Sequence, residues 1–328
     1  MKNRKSPLRK VIRGLLILIV IIIVLAIILP FIFKGRIMEA VKREINNSVE
    51  AKVDFTGFGM NLFSSFPDFR FHLDGLTIAG INDFEGDTLA RIGSVSAVID
   101  LFSVIRGDVY EIKKITITDP DIRLILLENG SASWDIFPAG GGDVEPIEPE
   151  TAEAAPVNIS LRKFEIRNAD IVYDDRMEDV YIIITDMDHT LSGNLSADMT
   201  DLTTFTGIGS LSFNQGGVTY LPGTSVSLDA LIRADLKNEI YTFSENELRI
   251  NELALKFDGT VDLAGNDPDI QLSFEAAENT FRNFLSLVPA IYQKDFADIR
   301  SNGRLSFTGF VRGTYTENAL PSFGLDIM

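Results

Sequence analysis

From Lys52 onward, apolar and polar residues alternate with a period of two. Val53 and Phe55 start the pattern, followed by Phe69, Phe71 and Leu73, then Leu76 and Ile78. Val226, Leu228, Ala230, Ile232, Ala234 and Leu236 alternate strictly. Leu253, Leu255 and Phe257 repeat the pattern, as do Ile270, Leu272 and Phe274. Such alternation predicts antiparallel strands with one apolar face. Asp74-Gly75, Arg106-Gly107, Asn129-Gly130, Gln215-Gly216-Gly217, Asp258-Gly259 and Asn302-Gly303 are read as the turns between them. About fourteen strands result, an array of roughly 70 Å at about 4.8 Å per strand. More chain or a partner is expected to extend that span, and the chain is expected to continue past Met328.

Three stretches break the period. Arg36 to Glu50 places Ile37, Val41, Ile45 and Val49 four apart, an amphipathic helix that packs on the first strands or plugs the membrane-proximal end of a groove. Residues 279–299 carry Phe281, Phe284, Leu285, Val288, Ile291 and Tyr292 near helical spacing, interrupted by Pro289. Residues 138–156, rich in glycine, proline and glutamate, read as a flexible acidic loop.

Gly14 to Phe33 is apolar throughout and carries no charge. At about 1.5 Å per residue, such a run spans a hydrocarbon core of roughly 30 Å. Lys2, Arg4, Lys5, Arg9, Lys10 and Arg13 precede it, and no acid occurs before Glu39. This bias keeps the N-terminus cytoplasmic and places everything after Lys34 across the membrane. The rival, a cleaved signal peptide, has a shorter apolar region and a small-residue cleavage site. The run instead exits through Leu29-Pro30-Phe31-Ile32-Phe33. The chain divides into a basic tail and anchor (1–33), a helix with first strands (34–137), the acidic loop (138–156) and further strands with a helical insertion (157–328).

Of 328 residues, 47 are acidic and 30 basic, giving −17. The basic tail makes the remainder more acidic still, the wrong balance for a nucleic-acid binder. There is no cysteine, hence no disulfide, thiolate metal site or cysteine nucleophile. His72 and His189, the only histidines, fall in different strand regions, and His72 is read as facing water. Asp170, Asp174, Asp175, Glu178, Asp179, Asp186 and Asp188 lack calcium-loop spacing and read as a solvated hairpin tip. Gly207-x-Gly209 lacks a third glycine and a following helix, so it is no dinucleotide fingerprint. Trp134 is read as a packing residue near a turn. No catalytic or metal site and no cofactor is expected.

Residues 112–122, Ile-Lys-Lys-Ile-Thr-Ile-Thr-Asp-Pro-Asp-Ile, are answered 49 positions later by Leu161 to Ile171, with a looser copy from Leu248 to Val261. Such repeats suggest units that stack on their neighbours. The pairs Lys113-Lys114 and Arg162-Lys163 are read as solvated strand edges, with phospholipid headgroup contact as the alternative.

Over residues 11–137 an ordered set of weak motifs resembles the AsmA family of envelope proteins. It comprises Phe66-Pro67, Asp74-Gly75-Leu76, Leu89-Ala90-Arg91-Ile92, Val98-Ile99-Asp100-Leu101, Ile105-Arg106-Gly107, Ile115-x-Ile117-x-x-Pro120-x-Ile122 and Asn129-Gly130-x-x-x-Trp134. Ser133 stands where members often have Asn before the tryptophan. Leu287-Val288-Pro289-Ala290-Ile291-Tyr292, Gly303-x-Leu305-x-Phe307-x-Gly309 and Gly313-x-Tyr315 resemble AsmA-like proteins of the Bacteroidetes type. The resemblance implies a long antiparallel β-groove with an apolar interior that carries phospholipid between inner and outer membranes.

The reading is a mainly β, single-pass inner-membrane protein of a Gram-negative envelope, its bulk periplasmic. Phospholipid and the inner membrane are the expected partners, with an outer-membrane or envelope protein as a further one. Phe69, Phe71, Ile115, Ile117, Phe164, Ile166, Leu228 and Ile232 are the candidate groove residues. The alternative is a periplasmic scaffold that seals its apolar face into an ordinary core and recruits an envelope protein.

Overall fold

Fifteen strands hydrogen-bond into one sheet in the computed structural model. It describes residues 35, 38–61, 65–106, 109–137, 158–265, 267–280, 304–316 and 319–328. The predicted anchor (14–33), the acidic loop and the Asn302-Gly303 turn lie outside the described residues, as do 281–299 of the predicted helical insertion. Asn279 and Thr280, placed in that helix by spacing, are the last residues of a strand instead.

The strands are β1 (Lys52–Asp54), β2 (Gly57–Asn61), β3 (Phe69–Ala79), β4 (Thr88–Ile99), β5 (Val109–Leu126), β6 (Asn158–Leu161), β7 (Lys163–Asp175) and β8 (Val180–Ser192). They continue with β9 (Met199–Gln215), β10 (Val218–Asp235), β11 (Ile240–Ile250), β12 (Leu253–Asp262), β13 (Asp269–Thr280), β14 (Arg304–Thr314) and β15 (Ser322–Ile327). Thirteen lie side by side in chain order, while β2 extends the line of β1 beside β3 and β6 extends that of β7 beside β5. Twelve spacings of about 4.8 Å give a sheet roughly 60 Å across its strands.

Helix α1 (38–48) packs on the first strand, as one of its two predicted roles required. The Asn46 side chain accepts from the Val53 N–H at 2.8 Å and donates to the Val53 carbonyl at 2.7 Å. Lys42 pairs with Asp54 and lies 4.9 Å from the centre of the buried Phe55 ring. Successive turns of α1 thus meet successively earlier strand residues, so the helix runs antiparallel to β1. Its N-terminal end points toward β2.

The expectation of a wholly antiparallel sheet is corrected at β5, which pairs in parallel with both β6 and β7. Ile115 pairs with Phe164, Ile117 with Ile166 and Ile122 with Ile171. The 49-residue repeat is therefore a register: two copies of one strand lie side by side, pointing the same way. A parallel neighbour needs a crossover of a dozen residues or more, which the chain between β5 and β7 supplies. The loose third copy is no strand, since it spans the end of β11, a turn and β12.

A second correction concerns the turns. Asn129-Gly130 and Gln215-Gly216-Gly217 do turn, but Asp74-Gly75 lies inside β3 and Asp258-Gly259 inside β12. Gly75 has φ +60 and lies in the skipped register step opposite Gly93 of β4. Asp119 follows in β5 (φ 51), then Asn168 in β7 (φ 52), Asp186 in β8 (φ 53) and Gly209 in β9. A Cβ on Gly209 would sit 2.9 Å from the Asp186 Cβ, so the row needs glycine there. Side chains brace the line: Asn168 Nδ2 donates to Asp119 Oδ1 at 2.7 Å, and the Asn168 N–H donates to Asp188 Oδ1 at 2.9 Å. A left-handed residue breaks the extended path of its strand. These residues lie near one line across six strands and are left-handed in four of them, Gly75, Asp119, Asn168 and Asp186. The apolar alternation slips by one at the same positions, from Leu73 to Leu76 and from Ile117 to Ile122, which keeps one face apolar on both sides of the line.

Full burial is sparse. One cluster, Phe84, Leu89 and Ile125, closes the hairpin ends of β3 to β5. Another, Leu253, Ala276 and Phe307, lies on β12 to β14. Every substantial strand–strand contact is between hydrogen-bonded neighbours.

Candidate functional site

The register collects the eight candidate residues on one face. Phe71 pairs with Ala97, Ala97 with Ile115, and Ile115 with Phe164. A parallel row runs Leu73, Val95, Ile117, Ile166, His189, Thr206, Leu228, Leu248 and Leu255. Phe69 lies two residues before Phe71 and contacts its ring at 6.4 Å. Ile232 lies four residues beyond Leu228 on the same strand, opposite Leu202. All eight are half-buried, touched by sheet neighbours yet not covered. Among the described residues, no second layer of strands packs over the face. A packed sandwich would bury such side chains completely.

His189 belongs to this face, in phase with Met187 and Leu191. It pairs with Ile166 and Thr206, its ring is 6.3 Å from Phe164, and Nδ1 lies 2.9 Å from Thr206 Oγ1. Burial pushes its pKa down, so the ring is neutral at pH 7. His72 sits on the opposite side, half-exposed, with Nε2 3.8 Å from Asp74 Oδ2.

The opposite face is polar, and there the reading of the basic pairs as strand edges is corrected. β5 and β7 are interior strands. Glu165 is buried on this face, 2.8 Å from each of Lys114, Lys163 and Arg167. Burial pushes its carboxyl up, but the two lysines outweigh that and hold the pKa at about 2. Lys113 reaches Asp68 at 2.9 Å and Asp100 at 2.8 Å, and Arg162 pairs with Glu111 at 3.1 Å. All four cations are bound to carboxylates.

The acidic cluster separates into two groups. Asp174, Asp175, Glu178 and Asp179 surround the β7–β8 turn, whereas Asp170, Asp186 and Asp188 lie within β7 and β8 along the line of left-handed residues. Among the described residues no group of acids and histidines is arranged to hold a metal ion. Trp134 stacks on Tyr173 at 6.0 Å beside the Asn129-Gly130 turn. Among the described residues no helix is long and apolar enough to cross a membrane.

The arrangement is that of an open β-sheet with one apolar and one polar face. The AsmA family model matches residues 1–284, and the chain belongs to the AsmA family, a family of the cell envelope. No curated protein and no solved structure matches the chain.

Proposed function

We propose that the chain is a membrane-anchored periplasmic protein of outer-membrane biogenesis that carries phospholipid between inner and outer membranes along its apolar face. The observation that supports this reading is the row from Leu73 to Leu255, apolar at every position but His189 and Thr206, half-buried and with no second strand layer over it among the described residues. Each CH₂ of an acyl chain laid there gains about 0.8 kcal/mol on leaving water. The gain is spread over many similar side chains, so a lipid slides without meeting one deep site. The polar face, where Glu165 engages Lys114, Lys163 and Arg167, stays in water and leaves headgroups at the rim. Residues 14–33 anchor the chain in the inner membrane, and an outer-membrane or envelope protein receives the lipid. No catalytic step is required.

The test is native mass spectrometry of the full chain released from detergent, beside an Ile117→Asp, Ile166→Asp double variant of matching circular dichroism. The parent retains phospholipid and the variant does not. A folded parent without lipid, or equal retention by both, sinks the proposal and favours a scaffold.

A further inference from the structure

Helix α2 (Leu101–Arg106) joins β4 to β5 and has its polarity inverted. Its buried residue is Ser103. The Ser103 N–H donates to Asp100 Oδ1 at 2.7 Å, its hydroxyl donates to the Asp100 carbonyl at 2.8 Å, and its Oγ accepts from the Glu111 N–H at 3.0 Å. This network fixes which side of the turn faces the sheet. Phe102 and Ile105 are driven outward, 57% and 69% exposed. A six-residue turn facing only water would hide its phenylalanine and isoleucine and show its serine.

A second turn meets it. Phe69 pairs with Ile99 and Ile99 with Ile112, so the chain entering β3, the end of β4 and the start of β5 share one corner. The turn before β3 shows Phe66 at 76% exposure. Lys113 clamps the two turns together by pairing with Asp68 on one and Asp100 on the other. The chain carries −17, yet this corner is near neutral: Arg70, Arg106, Lys113 and Arg162 offset Asp68, Asp100 and Glu111.

The position of the corner selects its partner. α1 points its N-terminal end toward β2, whose last residue Asn61 pairs with Arg70 at this corner. Four residues separate the apolar run ending at Phe33 from the start of α1 at Met38, a reach of about 18 Å over the five steps. We infer that Phe66, Phe102 and Ile105 dip into the interface of the bilayer that residues 14–33 span, seating the first strands of the apolar face against the lipid. Aromatic and aliphatic tips flanked by arginine suit that boundary. The inference rests on the anchor proposed above.

The chain has no cysteine, so single labels are clean. Phe102→Cys, Ile105→Cys and Met177→Cys variants of the full chain are labelled with the fluorophore NBD. They are placed in nanodiscs of phosphatidylethanolamine and phosphatidylglycerol. Met177 is also exposed, at 54%, but lies at the opposite end of the strands. Labels at 102 and 105 should be quenched by doxyl-phospholipid and shielded from iodide at least threefold relative to 177. Equal iodide access at all three positions overturns the inference and leaves the anchor standing. Shielding without doxyl quenching indicates a protein contact and also overturns it. A chain that fails to enter nanodiscs overturns the anchor and the inference together.

Discussion

Glu165→Gln keeps the shape of a buried side chain and removes its charge. The parent carboxyl, with a pKa of about 2 in the fold, compares with 4.5 in the unfolded chain. That difference corresponds to about 3.4 kcal/mol at about 1.36 kcal/mol per unit. Lys114 and Lys163 are 31% and 39% exposed, so water screens part of the attraction and about 2 kcal/mol is expected at pH 7. A depressed carboxylate pKa stabilises fully above the unfolded value and loses that effect as pH falls through the folded one. The cost of the substitution should thus shrink to roughly 1 kcal/mol at pH 3 and fade near pH 2. Trp134 is the sole tryptophan and stacks on Tyr173 of β7, so its fluorescence in urea reads the affected strand. A cost below about 0.5 kcal/mol at pH 7, or an equal cost at pH 7 and pH 3, would refute the reasoning.

Asn168→Val puts a β-branched residue at φ 52 and should lower stability by about 2 kcal/mol in urea titrations, whereas Asn168→Gly should cost under about 1. Because burial lowers the His189 pKa, the unfolded chain binds the proton more readily and stability falls as pH drops below 6.5; His189→Phe should flatten the melting temperature between pH 6.5 and 5. Lys113→Ala frees Asp68 and Asp100, and amides of α2 should exchange several-fold faster while those of β9 and β10 do not change.

Period-two alternation was enough to find the strands, and the eight groove candidates share a face because each was chosen from the apolar phase of its strand. Misreadings arose where one residue type serves two geometries. Glycine at φ above zero makes a tight turn or a bulge. At Asp74-Gly75 the deciding sign was the apolar slip from Leu73 to Leu76 without the gap of a loop. The 49-residue repeat held the β5–β7 pairing in plain view, since equal phase and equal direction describe parallel neighbours. The ion pairs of Glu165 were hidden because Lys114 meets it only across that pairing. His189 is a lone histidine and gives no pattern of its own. Its place follows from the alternation of Met187, His189 and Leu191.

The central claim, that acyl chains lie on one face of the sheet, is most directly tested by placing the photocrosslinker benzoylphenylalanine in the full chain in living cells. Positions 117, 164 and 228 lie on the apolar face, and 116 and 190 on the polar one. Mass spectrometry of the purified adducts should find phospholipid at the first three and none at the other two. Adducts on both faces alike, or on neither, would contradict the account.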